Sequence, residues 1–146
     1  YIDQTVVLGR GFNYATAFEW ALKLKELTYI IAEPYSSADF AHGPIAMVES
    51  GYPVLAVAAK GKVFDSMLEM LKRLRSDTAA ELVVISNDKR ALSLAQVPLK
   101  IPTDTPEWLS PLVGILPAQL FAYHLTRAKG YNTEQPRSIR KVTETK

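Results

Sequence analysis

Thr5-Val6-Val7-Leu8-Gly9-Arg10-Gly11, with the helical pattern that follows it, decides the architecture. An unbroken apolar run this short reads as a strand covered on both faces, because a strand with one wet face alternates apolar and polar residues. Gly9-Arg10-Gly11 ends it as a turn. From Asn13 the period changes. Ala17, Trp20, Ala21, Leu24, Leu27, Thr28 and Ile31 recur at helical spacing on one mostly apolar face. This predicts a helix from about Asn13, a suitable N-cap, to Ile31. A loop containing Pro34, Ser36 and Ser37 should follow. His42-Gly43-Pro44 then opens a short helix to about Val48, with Pro44 in the first-turn position where its missing N–H costs nothing.

The same alternation continues downstream. Pro53 to Ala58 reads as a second strand. Val63 to Arg75 reads as a helix with Phe64, Met67, Leu68, Leu71 and Leu74 on its apolar face, and the Lys72-Arg73-x-Arg75 cluster complements its C-terminal dipole. Glu81 to Ser86 is a third strand, and Val97 to Ile101 a weaker fourth. Ser110-Pro111 reads as the N-cap and N1 of a long helix reaching Lys129 and closed by Gly130, with Pro117 kinking or interrupting it. Tyr131 to Lys146 is a polar tail without periodicity. Strands alternating with helices imply parallel pairing, so the expected class is an α/β three-layer α/β/α sandwich, one domain over residues 1–146. Ligands of such sheets sit beyond the carboxyl ends of the strands. The turns at Gly9-Arg10-Gly11, Ala58-Ala59-Lys60-Gly61 and Ser86-Asn87-Asp88 lie there.

Composition narrows the functions. At 146 residues, 48% hydrophobic and 22% charged, the chain can bury a real core. A net charge of +2 gives no argument for nucleic acid or anionic lipid as a partner. No apolar run is long enough to span a membrane, and Val6-Val7-Leu8 is too short for a signal-peptide core. The absence of cysteine excludes disulfides, thiol catalysis and cysteine metal sites, and is compatible with a cytoplasmic setting. Two histidines in distant contexts offer no metal spacing, so no metal or other cofactor is expected. The first residue is Tyr1, not Met, which reads as a piece of a longer protein.

One stripe of the first helix carries chemistry. Glu19, Lys23 and Glu26 recur at i, i+4 and i+7, which sets two carboxylates and an ammonium in line. His42 follows at the start of the next helix. Carboxylate, ammonium and imidazole are the groups that move protons on a sugar. They are equally the groups of an ordinary solvated helix face. His124, inside the stripe Val113, Leu116, Leu120, Phe121 and Leu125, reads as a core or interface residue. Tyr1, Tyr14, Tyr29 and Tyr35 read as packing.

Five segments at consistent spacing carry a family resemblance: Leu8-Gly9-Arg10-Gly11, Glu19-x-x-Leu22-Lys23-Leu24-Lys25-Glu26, Ala32-Glu33-x-Tyr35, His42-Gly43-Pro44 and Gln135-Pro136-Arg137-x-x-x-Lys141. Together they resemble the sugar isomerase (SIS) domain family. Within it they are most similar to the second SIS domain of glutamine–fructose-6-phosphate aminotransferases and to related two-SIS amino-sugar phosphate deaminases and isomerases. The resemblance implies a flavodoxin-like sheet and a fructose 6-phosphate/glucosamine 6-phosphate substrate. It also implies a homodimer, with an N-terminal SIS domain and a glutaminase domain upstream.

It further implies roles for individual residues. Glu26 would shuttle a proton between sugar C1 and C2, and Lys23 would orient Glu26 or the sugar oxygens, with Glu19 holding Lys23. His42 would open the sugar ring in the active site of a neighbouring subunit, its imidazole kept neutral by the helix terminus behind it. Lys141, in an active-site tail spanning 131–146, would form a Schiff base with the open-chain ketose. The Ser/Thr-rich phosphate cup of the family belongs to its first SIS domain and has no counterpart after the first strand here, where Arg10 offers at most a weak anion contact. This chain also has Trp20 where relatives often have Gly, Ala38-Asp39-Phe40-Ala41 where they have Gly-Glu-Leu-Lys, and no Ser after Lys141. These departures leave room for a deaminase-type SIS protein or a non-catalytic phosphosugar sensor.

Overall fold

The structure is a computed structural model and describes residues 2–137. Five parallel strands form one sheet: β1 (Gln4–Gly9), β2 (Ile31–Ser36), β3 (Pro53–Val57), β4 (Glu81–Ser86) and β5 (Val97–Lys100). Their order is β2-β1-β3-β4-β5, the flavodoxin-like arrangement. Helices cover both faces, so the three-layer expectation holds. α1 (Asn13–Thr28) and α5 (Ser110–Ala128) lie on one face; α2 (Ser37–Phe40), α3 (Phe64–Asp77) and α4 (Lys89–Leu92) lie on the other. β1 shows why its apolar run is unbroken. Val6 and Leu8 enter the core under α3, Val7 enters the core under α1 and α5, and all are buried.

The first correction is β2. The helix ends at Thr28, not Ile31, and the segment expected as a loop is a strand paired with β1 from Gln4↔Ile31 to Gly9↔Ser36. Tyr29 terminates α1 in the left-handed region at φ 59°. The chain then re-enters the sheet, with the Ile31 N–H donating to the Asp3 carbonyl at 2.9 Å. β2 is an edge strand, which is how it accommodates Glu33 and Pro34: one side of an edge needs no ladder hydrogen bond.

Two expected caps have other work. Neither Asn13 nor Ser110 caps its helix with its side chain. Instead the buried Asn13 amide donates to Ser110 Oγ at 2.8 Å, tying the first turns of α1 and α5 together. The helix through Pro117 runs unbroken from Ser110 to Ala128, and Gly130, at φ 74°, follows its end as a left-handed terminator.

α5 inverts the usual pattern of a core helix. Its buried positions are small and fall every fourth residue: Ser110, Gly114, Ala118, Ala122 and Thr126. Its large residues face outward, with Leu112 69%, Leu116 59% and Leu120 59% exposed. His124 is exposed beside them, its ring 5.3 Å from that of Tyr123, so it is not a core histidine.

Trp20 fills the space that the small residues of α5 leave. It is fully buried and meets Phe121 edge-on, with ring centroids 5.6 Å apart. Trp20→Ala is expected to lower unfolding free energy by about 3–5 kcal/mol. A urea titration followed by circular dichroism checks this.

Candidate active site

The last turns of α1 bring the charged stripe together. Lys23 Nζ lies 2.8 Å from Glu26 Oε2 and 3.7 Å from Glu19 Oε1. The lysine side chain is 30% exposed and its partners are similar, so the group is half-buried and not a freely solvated face. The hydrogen bond to Glu26, aided by the charges of both carboxylates and opposed by burial, raises the Lys23 pKa above the ordinary 10.5. The amine is therefore held as an ammonium. It engages Oε2 of Glu26, while Oε1 has no hydrogen-bond partner among the described residues. A carboxylate with one oxygen pinned by a fixed cation and the other open can accept a proton and return it nearby.

The polar tail reaches the same end of α1. The backbone N–H of Arg137 donates to the Tyr29 hydroxyl at 2.8 Å. Its guanidinium sits 4.4 Å from the Tyr29 ring centroid and 5.1 Å from that of Tyr131. The two rings are themselves 5.0 Å apart. Tyr29 is thus the anchor that fastens the tail one turn beyond Glu26, a role the sequence did not disclose. Its left-handed backbone, at the end of α1, turns the chain off the helix axis, and nothing in the sequence marks it. Lys141 lies outside the described residues.

Arg10 and His42 belong to a different place. Arg10 follows β1 and His42 follows α2, both at the carboxyl edge of the sheet, where they line one cleft with Ser37, Ser66 and Arg73. α1 runs away from that edge, and the thirteen residue steps from Asn13 to Glu26 carry it about 20 Å. Glu19, Lys23 and Glu26 are brought together; Arg10 and His42 are not brought to them. His42 is exposed and precedes a single 3-10 turn, Pro44–Met47, in place of the expected short helix. Among the described residues no cluster of His, Asp or Glu is arranged to hold a metal.

The half-buried carboxylate–ammonium stripe thus sits on a flavodoxin-like sheet. The chain belongs to the SIS domain family, whose model matches residues 2–128. It is 39% identical over 134 residues to the glutamine–fructose-6-phosphate aminotransferase (isomerizing) of Pyrococcus horikoshii, covering 92% of this chain and 22% of that protein. It is 34% identical to the protein of the same name from Bacteroides thetaiotaomicron, over 97% of this chain and 23% of that protein. Among solved structures, the C-terminal domain of glucosamine-fructose-6-phosphate aminotransferase from Francisella tularensis superimposes with a TM-score of 0.81 at 33% identity, over 92% of this chain and 38% of that one. The tagatose-6-phosphate ketose/aldose isomerase of Escherichia coli shares the fold, with a TM-score of 0.78 at 24% identity. The chain therefore spans less than a quarter of the length of the curated relatives it matches. No helix among the described residues is long and apolar enough to cross a membrane.

The Lys23 clamp has a signature in alkali. Because the folded-state pKa is raised, its contribution to stability is present below the unfolded value near 10.5 and is lost as pH rises through the higher folded value. Lys23→Met should lack that alkaline loss. Chemical denaturation of both proteins between neutral pH and the limit of lysine titration checks it.

Proposed function

We propose that this chain is the C-terminal isomerase domain of a glutamine–fructose-6-phosphate aminotransferase-type enzyme acting in the cytoplasm. Glu26 carries the proton between C1 and C2 of open-chain fructose 6-phosphate on the way to glucosamine 6-phosphate. Lys23 holds Glu26 in place. Glu19 fixes Lys23 from the preceding turn. The observation that carries this assignment is the tail docked on Tyr29. Lys141 is four residue steps beyond Arg137, and extended chain of that length spans at most about 14 Å. An anchor at Arg137 on the end of α1 supports pairing the amine assigned to the Schiff base with the carboxylate assigned to proton transfer.

His42 acts from a second copy of the chain. The separation of His42 from Glu26 along α1 supports this, because one copy cannot present both to one sugar. A homodimer with exchanged histidines gives each site a ring-opening group, poised to take and return a proton at the sugar ring oxygen. The outward leucines of α5 suit a companion SIS domain, N-terminal to this one and preceded by a glutaminase domain. The aligned Francisella chain is more than twice as long as the part matched here, which leaves room for such a unit. That companion would supply the Ser/Thr phosphate cup this chain lacks.

In the full-length protein, Glu26→Gln should reduce formation of glucosamine 6-phosphate by 10²–10⁴-fold, in the manner of a lost general base. His42→Ala should be similarly impaired. Equal amounts of the two inactive variants, unfolded and refolded together, should regain roughly a quarter of wild-type activity, since half the dimers are mixed and each has one complete site. Absence of recovery in verified mixed dimers would place His42 in its own subunit's site, and full activity of Glu26→Gln would remove the assignment altogether.

A further inference from the structure

The cleft that holds Arg10 and His42 has features the Glu26 stripe does not use. It has a volume of about 490 Å³ and lies between α3 and the segment from Ser37 to His42. It opens beside the carboxyl ends of β1 and β2. In a sheet of this order ligands collect where the connections from adjacent strands diverge, at the β1/β3 boundary, and Arg10 is the residue that leaves β1 there.

Two arginines from separate elements line the cleft. Arg10 Nη1 donates to Ser66 Oγ at 2.9 Å, and Ser66 Oγ in turn donates to the Val63 carbonyl at 2.9 Å. The guanidinium is thus fixed by a hydroxyl and meets no carboxylate among the described residues. Arg73 lies two turns further along the same face of α3, drawn only loosely by Asp77 at 3.7 Å. Glu69 is the one carboxylate lining the cleft, and Lys72 engages it at 2.8 Å. The cleft is therefore left with a positive balance. Its wall includes an orphan: Ser37 is 3% exposed, and its Oγ has no hydrogen-bond partner among the described residues. A buried hydroxyl without an acceptor costs free energy that an incoming oxygen recovers. A planar guanidinium fixed by a serine hydroxyl, with a second arginine on the same wall, matches a tetrahedral oxyanion better than a neutral ligand.

We infer that this cleft is a second anion site, built for a phosphate-type dianion, either free phosphate or the phosphate ester of a sugar. It lies at the opposite end of α1 from Glu26 and does not depend on the role given to Glu26. Arg10 and Arg73 take the charge, Ser66 fixes Arg10, and Ser37 donates its unused proton. His42, on the same wall, is then next to the bound anion.

The test is a ¹H–¹⁵N correlation titration of the 146-residue chain at constant ionic strength, with inorganic phosphate, fructose 6-phosphate and unphosphorylated fructose as separate probes. Saturable shifts centred on Arg10, Ser37, Ser66 and Arg73 with both phosphates, and none with fructose, are expected. Tighter binding of fructose 6-phosphate assigns the site to a phosphosugar; equal binding assigns it to the phosphate group alone. Arg10→Ala should weaken binding at least about tenfold, the size of a lost charged hydrogen bond. Ser66→Ala, at an exposed position, should weaken it less and serves where Ser37→Ala fails to fold. Shifts that chloride reproduces, or that survive loss of both arginines, overturn the inference. Neither result touches the mixed-dimer test of Glu26 and His42.

Discussion

The close approach of α1 and α5 is the constraint on which the rest depends. Helices separated by leucines stand well apart, whereas small residues at the contact let their axes come near. α5 offers Ser110, Gly114, Ala118, Ala122 and Thr126 to its neighbour and to the sheet, and α1 answers with Asn13, Ala17, Trp20, Ala21 and Leu24. The Asn13–Ser110 hydrogen bond sets where along their lengths the two helices meet. With that contact made, Glu19, Lys23 and Glu26 lie half-buried on the flank of α1, beside an outward stripe of Ala15, Phe18, Leu22 and Lys25. The chain leaving α5 past Gly130 then falls on the end of α1, where Tyr131 and Arg137 meet Tyr29. The packing of two helices thus delivers both the carboxylate and the tail to one place.

The same packing leaves the domain visibly unfinished. A helix that buries its small side chains must show its large ones, and three leucines on α5 face solvent. Contiguous apolar surface of this kind marks a contact with another folded unit. The chemistry is unfinished in the same sense. Glu26 lies near the C-terminal end of α1, and the cleft that holds His42 lies at the carboxyl edge of the sheet, where α1 begins. The chain spans less than a quarter of the length of its curated relatives, and the exposed leucines are a surface that a neighbouring unit would cover.

Charge near the protein surface earns little from geometry alone, since exposed pairs contribute at most about 1 kcal/mol. The value of the Lys23 clamp is positional. It keeps one oxygen of Glu26 occupied and one available, and it prevents the carboxylate from turning toward solvent. Trp20 and Leu24, buried behind the stripe, hold the backbone of that turn rigid. Trp20 fills the core beneath the stripe, where it meets Phe121.

Local signals carried most of the architecture. Unbroken apolar runs marked β1, β3 and β4, and helical spacing marked α1, α3 and α5, because both patterns arise within a few residues. The stripe Glu19-Lys23-Glu26 was legible for the same reason: helical geometry alone puts those residues in line. β2 was not legible, because an edge strand has a partner on one side only and carries polar residues and proline like a loop. The true work of Asn13 and Ser110 was hidden too, since an intended cap and an interhelical tie use the same residue types. Tyr29 as the anchor of the tail, Ser37 as a buried hydroxyl without a partner, and the distance between Glu26 and His42 belong wholly to the tertiary structure. The sequence by itself determined which groups stand on one helix face. Which groups from distant segments meet was decided only when two helices packed closely enough to fix where each end of α1 lies.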